Sequence, residues 1–165
     1  MSDLKTKYMN KIDEITYKAK SEIEKATEEY YRELKERNTS HWIPVEEERY
    51  WWIDTEGYID WASWYGCTDD EGRLSIGNVF KTEKEAEFER ERLKILTIMR
   101  KYSSPFVDGK TNYFLVYYHD SKTIGIDYYW SIDSGGPYFE TKEIAHQVIN
   151  EIGEDRLKKY WFGLE

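Results

Sequence analysis

From Ser2 to Arg37 the chain contains neither Gly nor Pro, and charged residues of both signs alternate with apolar ones. Met9, Ile12, Thr16, Ala19, Ile23, Ala26 and Tyr30 recur at alternating steps of three and four, the spacing of a heptad seam on one helix face. Ile15, Tyr17 and Leu34 widen the stripe. The pattern predicts one amphipathic, coiled-coil-like helix over residues 1–38, about 50 Å long at 1.5 Å per residue. Two uses of it stay open. It associates with a second copy or a partner through Met9, Ile12, Ala19, Ile23, Ala26 and Tyr30, or it folds back on the rest of the chain. The stretch "NTSHWIP", residues 38–44, ends it, because Asn38 suits a C-terminal cap and Pro44 prevents continuation.

The period then changes. Tyr50, Trp51, Trp52 and Ile53 favour a strand, "DTEG" a turn, and Tyr58 to Tyr65 a second strand with Ile59, Trp61, Ser63 and Tyr65 on one face. "TDDEG", residues 68–72, reads as a further turn and "RLSIGN" as a short third strand. In "GNVFKTEKEAE", residues 77–87, Thr82 and Glu85 form a capping box for a helix with Ala86, Leu93, Leu96 and Met99 on its core face. "SSPF", residues 103–106, breaks that helix.

The second half repeats the plan. Residues 112–120 and 123–130 make a hairpin turning at Asp120–Lys122, and Thr141 caps a helix with Ile144, Ala145, Val148, Ile149 and Ile152 on its apolar face. Phe80, Thr82 and Ala86 match Phe139, Thr141 and Ala145, each pair displaced by 59 positions, although Ile144 stands where Glu85 completes the first capping box. The expected fold is therefore α+β. A long N-terminal helix (1–38) precedes two repeated β-meander-plus-helix units, 41–102 and 106–165, packed together because each alone buries its apolar face poorly.

Composition adds two constraints. Aromatic residues make up 17% of the chain, enough to build a core despite its polarity and to leave at least one aromatic contact patch. The net charge of −9 disfavours direct binding to nucleic-acid backbones, whose affinity comes from Lys and Arg. It suits a basic protein partner, or simply solubility. The charged N-terminus has no apolar signal core and no run approaches a membrane span, so a cytoplasmic protein is expected.

Candidate chemistry is sparse. His41, His119 and His146 show no metal-ligand spacing, and the single Cys67 excludes an intrachain disulfide and reads as an inert thiol with no helix N-terminus beside it. "DDEG" at Asp69–Gly72 lacks calcium-loop spacing and reads as a solvated turn. No nucleophile elbow and no phosphate-binding glycine loop occurs. We expect no enzyme, no catalytic residue, no metal and no cofactor. Glu46, Glu47 and Glu48 make the first hairpin acidic, which reads either as a mimic of a nucleic-acid backbone or as a charged edge that discourages strand pairing. Phe88, set among charges, reads as an exposed contact.

"W-x-P" at Trp42–Pro44, "RYWWI", "GNVFKTEKEAE" and "GEDRLKKYWFG" (153–163) resemble a family of small proteins encoded by phages and prophages of low-GC bacteria. The resemblance spans residues 40–165. That family has no established activity, so no catalytic residue carries over. It implies an accessory phage protein that works by binding in the host cytoplasm, as an anti-CRISPR or similar inhibitor of a defence protein such as a nuclease with a basic groove. Trp51, Trp52, Trp61 and Trp64, with Glu46 to Glu48 and Phe88, are then the expected contact surface. The alternatives are a nucleotide sponge, stacking its ligand on Tyr128, Tyr129 and Trp130 with Lys158 and Lys159 on phosphates, or a structural phage oligomer.

Overall fold

A computed structural model describes residues 2–36 and 42–164, without the side chains of residues 2, 3, 5 and 31–36. The fold is α+β, with a long N-terminal helix and two small antiparallel two-stranded sheets. Helix α1 (Ser2–Glu36) is followed by strands β1 (Arg49–Ile53) and β2 (Ile59–Ser63), then helices α2 (Thr68–Ser75) and α3 (Glu83–Tyr102). Strands β3 (Asn112–Tyr118) and β4 (Thr123–Tyr129) precede helix α4 (Lys142–Ile152), a short α5 (Glu154–Arg156) and a π-helical turn, Leu157–Trp161. Asn38, expected to cap α1, lies outside the described residues.

The chain divides into two compact units, residues 1–50 with 61–81, and residues 51–60 with 82–165. That division does not follow the boundary between the two repeats, because α3 falls in the same unit as α4. The core of the second unit is built from Ile95 and Met99 of α3, Leu115 of β3, Phe139, then Ala145, Val148 and Ile152 of α4 and Leu157 of the π-turn. The face expected on α4 is the one buried. On α3 the expectation needs correction. Ala86 and Met99 are buried as expected, but Ile95 takes the place read for Leu93, which is 43% exposed. Alternating charges along α3 make two adjacent faces look equally apolar, and packing selects one.

The second hairpin forms as expected, and its register sets Asn112 opposite Tyr129 and Tyr118 opposite Thr123. Asn112 is buried. Its side-chain carbonyl accepts from Val107 N (2.8 Å), and its amide donates to the carbonyls of Val107, Lys110 and Tyr129. One side chain thus stands in for backbone pairing in the loop that leads into β3.

In the first half, "TDDEGRLS" is helix α2 and not a turn followed by a third strand. The apolar pair Leu74 and Ile76 imitates strand alternation, but Asp69, Asp70 and Glu71 lie in the first turn and Arg73 in the last, the charge order that a helix dipole favours. Ile76 is left 77% exposed just past the helix.

The two strand-to-helix joints share one construction. Thr82 (φ −132°, ψ 154°) and Thr141 (φ −135°, ψ 159°) are the N-caps of α3 and α4, and each hydroxyl accepts from the amide three residues on. Only the first is closed by a carboxylate, since Glu85 accepts from Thr82 N whereas position 144 is Ile.

Candidate protein-binding surface

The first hairpin is rigid on one face. Asp54 accepts from Glu56 N and Tyr58 N at 2.9 and 2.7 Å, closing the turn in which Gly57 adopts φ 84°. Residues alternate across a strand, so Tyr50 and Trp64 lie to one side and Arg49 and Trp61 to the other. Tyr50 and Trp64 are fully buried and meet edge to face, with ring centroids 5.9 Å apart.

Beneath them sits a polar cluster that the sequence pattern did not reveal. Asp70, only 2% exposed, accepts from Tyr50 Oη at 2.6 Å and from the backbone amides of Tyr65 (2.9 Å) and Cys67 (3.3 Å). Arg73 Nη1 in turn donates to Tyr50 Oη at 2.6 Å. Burial alone would raise the Asp70 carboxyl, but the hydrogen bonds from Tyr50, Tyr65 and Cys67 outweigh it and hold the group below its usual range. Burial, reinforced by the Asp70 carboxylate, pushes the Tyr50 phenol up to about 12. Tyr50 is therefore a donor at any physiological pH. The cluster fastens α2 to the hairpin; it is structural chemistry. Asp70 is thus not part of a solvated turn, and Cys67 is not remote from a helix, for it is the exposed N-cap of α2.

The other face is the open one. Trp61 is 48% exposed and carries the Arg49 guanidinium 4.0 Å from its ring centroid, a cation–π arrangement. Tyr65, 65% exposed, comes just after β2, and Glu46 and Glu47 are exposed in the approach to β1. Of the residues expected to form a contact surface, Trp61, Glu46 and Glu47 are exposed. Trp64 is not: at 1% exposure it is core, because strand alternation puts it on the face opposite Trp61. Trp51 and Trp52 are half-buried. The Glu48 carboxylate accepts from Val45 N at 2.9 Å, turned back on its own loop. Phe88 is half-buried with its ring 5.3 Å from that of Tyr160, so its charged neighbours in sequence misrepresent its surroundings.

The residues proposed for a stacked ligand have separate engagements. Tyr129 stacks on Phe114 at 4.4 Å, while Tyr128 and Trp130 are exposed, with ring centroids 5.5 Å apart. Lys158 pairs with Glu154 at 3.3 Å, and Lys159 lies 5.2 Å from the Tyr160 ring centroid. A recess of about 160 Å³ in the second unit is lined by Met99, Phe114, Leu115, Ser134, Pro137 and Trp161 among others, and none of Tyr128, Tyr129, Trp130, Lys158 and Lys159 lines it.

Every described side chain of α1 except Ser21 is exposed. No described helix is long and apolar enough to cross a membrane, and no group of three or more metal-ligating side chains occurs among the described residues. No protein-family model, curated protein or solved structure significantly matches the chain.

Proposed function

We propose that the protein is a phage-encoded, non-enzymatic binding protein that acts in the bacterial cytoplasm and blocks a component of an anti-phage defence system, in the manner of an anti-CRISPR protein. The contact runs through the open face of the first hairpin. The observation that carries the reading is Trp61: a large aromatic ring, half-exposed, with the Arg49 guanidinium over it, in a hairpin whose other face is buried at Tyr50 and Trp64. An anchor that is rigid before binding loses little conformational freedom on contact, and Trp and Arg dominate interface hot spots. Glu46 and Glu47, exposed in the approach to β1, supply negative charge that suits a basic protein groove. The phage context rests on the resemblance of residues 40–165.

The test is phage plating on bacteria carrying individual defence systems, with and without the expressed protein, together with affinity capture of the target. Wild-type protein should restore plating against one system and retain one of its proteins. Trp61→Ala should weaken that capture by roughly thirtyfold or more, as expected of a Trp hot spot, without changing the unfolding midpoint. Unchanged plating against a panel of CRISPR, restriction and abortive-infection systems would remove the defence reading. Undiminished capture by Trp61→Ala would remove the surface.

A further inference from the structure

Helix α1 is 35 residues long, and its apolar residues stand in solvent: Leu4, Tyr8, Ile12, Ile15, Ile23 and Tyr30 are each 55–66% exposed. A heptad describes this stripe poorly. It puts Thr16 in the seam and leaves Leu4, Tyr8 and Ile15 beside it. Steps of four, four and three take in all six of these residues and leave only Met9 and Tyr17, among the exposed apolar residues of the helix, to the side. Positions 4, 8, 12, 15, 19, 23, 26, 30 and 34 are Leu, Tyr, Ile, Ile, Ala, Ile, Ala, Tyr and Leu, and all nine are apolar. That is an 11-residue repeat, 3.67 residues per turn, whose stripe drifts in the opposite sense to a heptad and closes with a right-handed supercoil.

The stripe is also symmetric end to end about Ala19. Reversing the helix places Leu4 opposite Leu34, Tyr8 opposite Tyr30, Ile12 opposite Ala26 and Ile15 opposite Ile23, with Ala19 opposite itself at the centre. The charges along one edge of the stripe read Lys7, Lys11, Lys18, Glu22, Glu29, Glu33. In an antiparallel pair related by a two-fold axis at Ala19 this edge faces itself reversed. Lys18 then meets Glu22 of the second copy, Lys11 meets Glu29, and Lys7 meets Glu33. A parallel pair would instead bring the edge against Lys5, Met9, Thr16, Lys20, Thr27 and Tyr31, with lysine near lysine at Lys5–Lys7 and Lys18–Lys20. Among the described residues Lys18 pairs locally with Glu14 at 3.0 Å, with both side chains about two-thirds exposed.

We infer that α1 is an antiparallel homodimerisation helix, packed against the same helix of a second copy in a right-handed, 11-residue-repeat coiled coil centred on Ala19. This goes beyond the Trp61 surface and does not depend on it. In such a dimer the two α1 C-termini, from which the rest of each chain continues, lie about 50 Å apart, so the dimer is bivalent.

The experiment uses the full chain with Cys67→Ser, so that every disulfide reports an introduced cysteine. Ile12→Cys and Ala26→Cys proteins are oxidised separately and as a mixture. The mixture should give a covalent dimer containing one chain of each kind, and neither protein alone should cross-link efficiently. In the antiparallel pair, equivalent positions 12 lie fourteen residues apart along the axis, about 21 Å, far beyond the ~7 Å that a disulfide allows between Cα atoms. Efficient cross-linking of Ile12→Cys alone would establish a parallel pair and overturn the inference. A 20.0 kDa monomer by light scattering at all concentrations would overturn it too. As a second measurement, Lys11→Glu/Lys18→Glu and Glu22→Lys/Glu29→Lys proteins should each lose self-association by roughly a hundredfold at low salt, four like-charge contacts replacing four opposite ones. Mixed together they should pair as tightly as wild type. Failure of the mixture to pair while both variants stay helical would refute the charge register.

Discussion

Replacing Asp70 by Asn changes one atom's chemistry and almost nothing of its shape. In the native cluster Oδ1 accepts from Tyr50 Oη and Oδ2 accepts from two backbone amides. An amide side chain has one oxygen and one NH₂ group, so whichever way it turns, a donor meets a donor. If the oxygen keeps the two backbone amides, the NH₂ faces Tyr50 Oη, which already receives Arg73 Nη1. The phenolic proton is then buried without an acceptor. Hydrogen bonds to a charged group contribute about 1.5–3 kcal/mol against about 1 kcal/mol for neutral ones. Losing the charge from three bonds, one of them mispaired, should cost about 2–4 kcal/mol at pH 7. The assay is urea unfolding of wild type and Asp70→Asn at matched slope. The pH dependence makes it specific. The folded Asp70 carboxyl lies below its ordinary value, so its stabilisation is present above the unfolded value of about 3.9 and is lost as pH falls through the folded value. The gap between the two proteins should therefore hold from pH 7 to about pH 5 and narrow below about pH 4. A cost under ~0.5 kcal/mol, or a gap that does not narrow in acid, would show that the carboxylate is not what secures α2 to the hairpin.

The same cluster should respond at the alkaline end. With the Tyr50 phenol raised to about 12, its contribution is fully present below the unfolded value of about 10 and lost as pH rises toward 12. An ultraviolet difference titration against Tyr50→Phe should show one late-titrating phenol, and a missing late step would contradict its burial. Trp64→Ala should destabilise by about 3–5 kcal/mol, the usual cost of emptying a buried aromatic site, whereas Trp61→Ala should stay within about 1 kcal/mol of wild type. Similar unfolding midpoints for the two variants would mean that the faces of the first hairpin have been assigned wrongly. Asn112→Ala removes the partners of one backbone amide and of three carbonyls, so a loss of about 2–4 kcal/mol is expected by thermal or urea unfolding. Amide exchange should rise first at Val107.

Much of the fold was legible because it rests on local rules. The long uninterrupted helix, the β3–β4 hairpin and both threonine caps arise from periodicity, turn residues and hydroxyl placement, which act within a few positions of one another. The readings that failed depended on which of two comparable faces turns inward. Leu93 against Ile95, and Trp64 against Trp61, differ by burial that no short window encodes. The Asp70 cluster was missed for a related reason: its partners lie 20 positions away at Tyr50 and 5 at Tyr65, and an acidic "DDEG" run normally reads as solvated surface. A usable clue was present, because Asp70 stands three residues beyond Cys67, the offset at which an acidic side chain can reach back to a helix N-cap. Phe88 failed by the same logic, since its ring partner Tyr160 lies 72 positions further on.

The repeated joint shows how far a local rule extends. Thr82 and Thr141 adopt backbone angles within 5° of each other, and Ala86 and Ala145, four residues on, are both completely buried. The phenylalanine two residues before each cap sits at a β-bridge, and for Phe139 the partner is Tyr113, joined by two backbone hydrogen bonds. Bridge, cap and small buried residue thus recur together at both joints, where alanine takes little room in the first turn and threonine marks where the helix starts. The helices beyond the two joints are not alike: α3 runs 20 residues and carries its charges in i,i+3 pairs, while α4 runs 11 and ends at Gly153 with φ 90°. The duplicated motif therefore specifies the start of each helix alone. The length and exposed chemistry of each helix were free to diverge, which is why the repeat, conspicuous as it is in the sequence, points to construction and not to an active site.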